Sequence, residues 1–240
     1  MKRNNLFVYG TLLTLSSAFF VGINSYADTD YSDSIHAKSE AIIQFEKDDS
    51  PVDPVDPDDP NVPVNPVNPP NKNGGELMIT YASNLNFGTH KKTETSFYAQ
   101  GDELKNGNKI TPFVSIKDSR DNTRKGWSLT AKIDGDFADS SGNILKGAEL
   151  HFSNLYSGNG QTNAPEVTQG DIVLNKNDEE IAKAGVNNGV GLNSIGLGKL
   201  DTTTNTTNGV KLTVPGSIAK DTEEYKTTVT YTLTADPTNP

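Results

Sequence analysis

Two stretches of the chain alternate between apolar and polar positions with a period of two. In the first, Trp127, Leu129, Ala131 and Ile133 fall on one face. In the second, Val229, Tyr231, Leu233 and Ala235 share a face, with Thr228, Thr230, Thr232 and Thr234 opposite. This period predicts two half-buried strands, Gly126–Asp134 and Thr227–Ala235. Shorter runs bounded by Gly, Asn, Asp and Pro predict six more, at Leu77–Tyr81, Thr95–Ala99, Pro112–Lys117, Ala148–Asn154, Asp171–Leu174 and Val210–Val214. Turn residues sit between them at Asn106-Gly107, Ser141-Gly142-Asn143, Asn208-Gly209 and Pro215-Gly216. The pattern predicts an all-β domain over 75–240, an antiparallel sandwich of Ig-like or jelly-roll-like kind. One helix is allowed near Asp178–Ala184, and the Gly- and Asn-rich run Gly185–Gly198 reads as a long loop. Gly189-Val190-Gly191 lacks both the spacing and the strand–turn–helix setting of a nucleotide-binding loop.

Upstream the pattern changes. Residues 48–74 repeat Val-Asp-Pro and Val-Asn-Pro and hold eight of the thirteen prolines. This composition reads as polyproline II, a semi-rigid spacer that at about 3.1 Å per residue reaches on the order of 75 Å. Before it, within the segment 28–47, Ala41-Ile42-Ile43-Gln44-Phe45-Glu46 has strand length and composition. One short strand is not stable alone, so residues 40–46 are expected to return across the Pro-rich loop and join the main domain, with Ile43 and Phe45 turned inward. Residues 1–27 run from Lys2-Arg3 through an apolar stretch to Ser25-Tyr26-Ala27, the form of a cleaved secretory leader.

The chain carries 21 basic and 31 acidic residues, a net charge of −10. Loss of the leader with Lys2 and Arg3 would take this to −12. Such a surface is a poor match for nucleic acid or anionic lipid, both of which need clustered Lys and Arg. There is no cysteine, which removes disulfides, thiol catalysis, lipid attachment at cysteine and cysteine-ligated metal. No membrane span is expected in the mature chain. The segment Ala235–Pro240 has no apolar tail, basic cluster or LPxTG-like sorting sequence, so the expectation is non-covalent attachment.

Candidate chemistry is sparse. Asp134, Asp136, Asp139 and Asn143 gather hard oxygen ligands in one hairpin loop, as calcium requires, but without EF-hand spacing, and the same residues form ordinary turns. Lys117, Arg120, Arg124 and Lys125 precede Trp127 with Asp118 and Asp121 among them; this is either a contact for wall phosphates or a solvated loop of mixed charge. His90-Lys91-Lys92 carries the same two readings. The histidines, His36, His90 and His151, have no metal-ligand spacing, and no serine sits in a nucleophile elbow. No enzyme activity, metal or cofactor is expected.

Trp127-Ser128-Leu129, together with Tyr225-xxxx-Thr230-Tyr231-Thr232-Leu233-xxx-Pro237, resembles the paired motifs of WxL-domain surface proteins. The second motif fits YxxxxTWxLxxxP at every fixed place except Tyr231, which stands where the pattern has Trp. Leu85-Asn86-Phe87-Gly88, Lys146-Gly147-Ala148-Glu149-Leu150, the leader and the Pro-rich segment extend the likeness over nearly the whole mature chain. The resemblance implies a small surface protein of Gram-positive bacteria, bound non-covalently to peptidoglycan and working in complexes with other WxL and WxL-interacting proteins. An adhesin or assembly subunit that binds a companion or host ligand is the alternative. It also marks Trp127, Leu129, Tyr231 and Leu233 as binding residues. Their alternation assigns the same four to the core, and both readings stand at this point.

Overall fold

The computed structural model describes residues 29–158 and 162–235. The expected leader and Pro237 therefore lie outside the described residues. The chain divides into two compact units, Met1–Glu46 and Lys47–Pro240.

In the first unit β1 (Thr29–Tyr31) and β2 (Ala37–Ser39) form an antiparallel hairpin. Asp33 sets its turn by accepting the backbone N–H of Ile35 and of His36, each at 2.9 Å. Residues 40–46 carry no strand, and Ile43 and Phe45 are 77% and 83% exposed. The strand expected at 40–46 is absent, and the strands of this unit lie at 29–39 and pair with each other. Apolar alternation over a few residues specifies faces only where a neighbouring strand supplies hydrogen bonds, and this hairpin closes before the apolar run begins.

The second unit runs β3 (Leu77–Ala82), β4 (Ser96–Gln100), β5 (Asp102–Glu103), β6 (Lys109–Ile110), β7 (Phe113–Asp118) and β8 (Trp127–Ile133). It continues through β9 (Glu149–Phe152), β10 (Leu155–Ser157), β11 (Glu166–Val167), β12 (Ile172–Leu174) and β13 (Glu179–Ala184). The last four are β14 (Gly191–Leu197), β15 (Leu200–Asp201), β16 (Thr206–Thr213) and β17 (Val229–Ala235). Three antiparallel sheets, ordered β10-β14-β7-β3, β11-β13-β8-β17 and β12-β9-β16-β15 with β4 also on β16, bury one core in sandwich fashion. Among the described residues there is no helix. All eight strands read from the sequence are present.

The expected helix at Asp178–Ala184 is strand β13. Its ladder to β8 slips between Glu180 and Ala182, so Ile181 and Ala182 are both fully buried. The bulge breaks the period of two that would have announced a strand. The expected loop Gly185–Gly198 contains β14, which is flanked by β10 and β7 and mostly buried. Its glycines permit close packing: a Cβ on Gly196 would stand 2.2 Å from the Tyr156 ring, and one on Gly198 would stand 2.2 Å from the backbone of Gly209.

The Pro-rich segment is a strap on this unit rather than a free spacer. Prolines at every third position leave the intervening N–H groups free to pair. Asp56 N–H donates to Val62 O and Val64 N–H to Pro54 O, both at 2.9 Å, which folds the strap into a narrow hairpin. Val55 and Val64 are buried, and Val64 packs with Tyr81, Leu104 and Phe113 in a second apolar cluster. Strand β7 is therefore buried on both faces: Val114 and Ile116 enter the main core, while Phe113 and Lys117 meet the strap. The Lys117 ammonium is 3% exposed, and lies 2.9 Å from Asp48 Oδ1 and 2.9 Å from Ser50 O.

Replacing Lys117 with Met leaves the Ser50 carbonyl without its donor and Asp48 without its counter-ion. The expected result is a loss of about 2 kcal/mol by thermal or urea unfolding. Amide exchange should quicken across residues 50–70 ahead of the rest; unchanged exchange there would refute the anchoring role.

Candidate functional site

The two tripeptide motifs, a hundred residues apart, are neighbours. β17 lies antiparallel to β8 in unbroken register, with Leu233 opposite Leu129, Ala235 opposite Trp127 and Tyr231 opposite Ala131. Directly opposed residues share a face, so both apolar sets point into the sandwich. Trp127 and Leu129 are fully buried, while Leu233 and Tyr231 are half-buried.

The indole of Trp127 occupies a slot cut by small residues. Gly126, at φ 109°, runs against the Ala184 carbonyl, where any Cβ would stand 2.0 Å from the oxygen. Gly189, at φ 66°, lies flat on the indole, and its carbonyl accepts the Nε1–H at 3.2 Å. The Arg120 guanidinium spans Asp118 Oδ1 and Oδ2 at 2.8 Å each and reaches Gly126 O at 2.9 Å. Asp118 raises the pKa of this guanidinium. Arg124 donates to Val186 O at 3.0 Å. Lys117, Arg120 and Arg124 are thus engaged within the protein, and neither the phosphate-contact nor the solvated-loop reading describes them.

Tyr231 differs from Trp127. Its ring stacks near Phe152 of the facing sheet, at 6.5 Å between centroids and 18° between planes. Part of its area is open, yet the hydroxyl is enclosed and has no hydrogen-bond partner among the described residues. Burial alone pushes the phenol pKa up.

The ring also helps to line a cleft of about 990 Å³ between the C-terminal end of β3 and the first half of β17. Phe87, Phe97, Phe137 and Tyr225 supply its other aromatic surface. Two loops shape the mouth, Asn84–Lys92 and Lys220–Thr228, tied where Lys220 Nζ donates to Lys92 O at 3.0 Å. His90 packs against Phe97 with the rings tilted by 48° and their centroids 4.6 Å apart, and its Nε2 bonds to Phe87 O at 2.6 Å. Lys226 pairs with Glu224 at 3.1 Å, and Lys91, Lys92, Asp221 and Glu223 also line the rim.

Leu85-Asn86-Phe87-Gly88, Leu150, Tyr225 and Tyr231 all line this one cleft. Of the four residues marked from the sequence only Tyr231 reaches it; Trp127 and Leu129 lie in the core below, and Leu233 sits farther along the strand. Phe97 and Lys220 were not singled out in the sequence, since nothing in their local pattern shows which loops meet.

The acidic loop is a turn. Asp139 Oδ1 accepts the N–H of Ser141 and of Asn143 at 2.9 and 2.8 Å, and Oδ2 accepts Asn143 Nδ2 at 2.8 Å. These donors, the Asn143 side chain first, hold the Asp139 carboxyl below its usual range. Asp134 accepts Thr230 Oγ1 at 2.9 Å. Among the described residues no three His, Cys, Asp or Glu converge on a metal position. His151 lies 2.9 Å from Asp171 and does not line the cleft; in the first unit His36 lies 2.8 Å from Asp33.

A family model described as WxL domain surface cell wall-binding matches residues 32–237, and the chain belongs to that family. It is a cell-wall-associated protein of the cell surface. No curated protein matches it, and no solved structure does.

Tyr231→Phe removes an enclosed hydroxyl that has no hydrogen-bond partner among the described residues, so stability should rise by about 1 kcal/mol in urea unfolding. A loss would show that the hydroxyl is satisfied. For Asp139 the sign follows from its lowered pKa: its stabilisation is present above the ordinary carboxylate value and fades as pH falls through the lower folded value. Asp139→Asn should therefore flatten the stability-versus-pH curve below about pH 4, read as the difference in urea midpoints between pH 3 and pH 6. A variant with the wild-type slope would refute this.

Proposed function

We propose that the protein is a non-enzymatic wall-binding module that holds peptidoglycan non-covalently in the Phe87–Tyr225–Tyr231 cleft, within a complex of surface proteins. The observation that carries this reading is the convergence of motif residues from three distant parts of the chain, Leu85–Gly88, Leu150 and Tyr225–Tyr231, on one aromatic cleft. Aromatic faces pack against the apolar faces of sugar rings, and flanking amides and lysines supply the directional contacts. The chain is acidic overall, and at the rim Lys91, Lys92, Lys220 and Lys226 stand beside Asp221, Glu223 and Glu224, so encounter with an anionic wall is expected to depend on salt. Family membership supports the wall as the general target.

Co-sedimentation of residues 28–240 with purified sacculi, free of protein and teichoic acid, tests the reading across a salt series. Wild type should sediment, and Phe87→Ala with Tyr225→Ala, checked for folding, should lose at least about tenfold in affinity, roughly 1.4 kcal/mol. Trp127→Ala should act through stability, lowering it by about 3–5 kcal/mol, without a separate effect on whatever fraction stays folded. Failure of the wild type to sediment at any salt would overturn direct wall binding and make a companion surface protein the ligand of the cleft.

A further inference from the structure

Strand β17 ends its sheet, and among the described residues its backbone pairs only with β8. Exposed edges are usually blunted by charge, proline, bulges, shortness or a covering segment. Among the described residues the other sheet edges follow that rule. β10, β11, β12 and β15 are two or three residues long. The β3 ladder slips between Ile79 and Tyr81, and its outer side receives the strap, with Asn71 N–H on Thr80 O and Asn71 Nδ2 on Ile79 O. β4 meets a break in the β16 ladder, and Gln100 N–H is taken by Asn86 O. β17 has none of these defences. Its seven residues, Val229-Thr230-Tyr231-Thr232-Leu233-Thr234-Ala235, carry no charge and no proline, and their register with β8 is unbroken. It is seven residues long and rich in β-formers, the composition of an edge that is suited to pairing.

The chain also holds a segment suited to that edge. Ala41-Ile42-Ile43-Gln44-Phe45 is uncharged and β-prone, and Ile42, Ile43 and Phe45 are 60%, 77% and 83% exposed. Together with Tyr31 and Ile35 they concentrate exposed large apolar groups in one short stretch, which marks an interaction surface. We infer that residues 41–46 of one copy add as a strand to the free edge of β17 in a second copy. Main-chain hydrogen bonds supply the affinity and alternate side chains the fit, as in other strand additions. Ile43 and Phe45 fall on one face of the added strand and continue the apolar face of Tyr231 and Leu233, while Gln44 joins the threonines outside. Donor and acceptor are different surfaces of the same chain, so the contact is head-to-tail and propagates from copy to copy unless it closes into a ring. This partner is independent of the wall reading, because sacculi binding and self-association are measured separately.

Analytical ultracentrifugation of residues 28–240 tests the inference with two variants. Wild type should gain mass with concentration. Ile43→Asp with Phe45→Asp spoils the donor, and Thr232→Lys with Thr234→Lys charges the acceptor edge; each variant alone should remain a monomer. Mixed together they should form a one-to-one dimer and stop there, since each supplies the half that the other lacks, and exchange at residues 229–235 should slow in the mixture. A wild type that stays monomeric at hundreds of micromolar would overturn the inference. So would variants that associate like wild type, a mixture that stays monomeric, or protection of residues 41–46 within a monomer, which would place the strand in its own chain.

Discussion

The core of the second unit depends on how tightly the Trp127 indole is seated. No Cβ fits at Gly126 or at Gly189, and the indole N–H has one acceptor, the carbonyl of Gly189. That single position fixes β8 against β13 on one side and β17 on the other. A slip of one residue between β8 and β17 would turn Leu233 outward while Leu129 kept its place. The Arg120–Asp118 pair clamps the loop that leads into this strand, so charge and packing set the same register.

From that register the position of Tyr231 follows. It lies opposite Ala131, a residue too small to fill the space before it, and so its ring reaches Phe152 and the base of the cleft. One motif residue therefore builds the interior and the other opens onto the surface, although both occupy inward positions of adjacent strands. Binding and folding readings of these motifs are not rivals, because the first tripeptide holds the strand on which the second displays its ring.

How much of this was legible differs from element to element. Trp127–Ile133 and Val229–Ala235 announced themselves because period two survives along their whole length. β13 did not, since its bulge places Ile181 and Ala182 inward together and Glu179-Glu180 favours a helix when read alone. β14 was hidden by glycines that serve close packing against Tyr156 and Gly209 rather than mobility. The strap was hidden for a different reason: its composition suggests an extended spacer, and nothing in it shows that Val55 and Val64 find apolar neighbours elsewhere in the unit. As for the cleft, its Phe87 and Tyr225 stood inside recognisable motifs, while the meeting of two loops some 130 residues apart is a property of the fold alone.

The strap has a consequence in time as well as in space. Its floor consists of β7 and β14, so that Val55 reaches Ser194 only after 139 further residues have been made. Until then a valine-rich segment must wait in the open, in a chain whose sheets join distant partners and for that reason assemble slowly. Proline at every third position denies that segment the continuous row of donors that a growing β-aggregate needs. The residues that shape the finished strap thus also guard it during synthesis, and a strap rebuilt from better strand formers would endanger the chain before it ever folded.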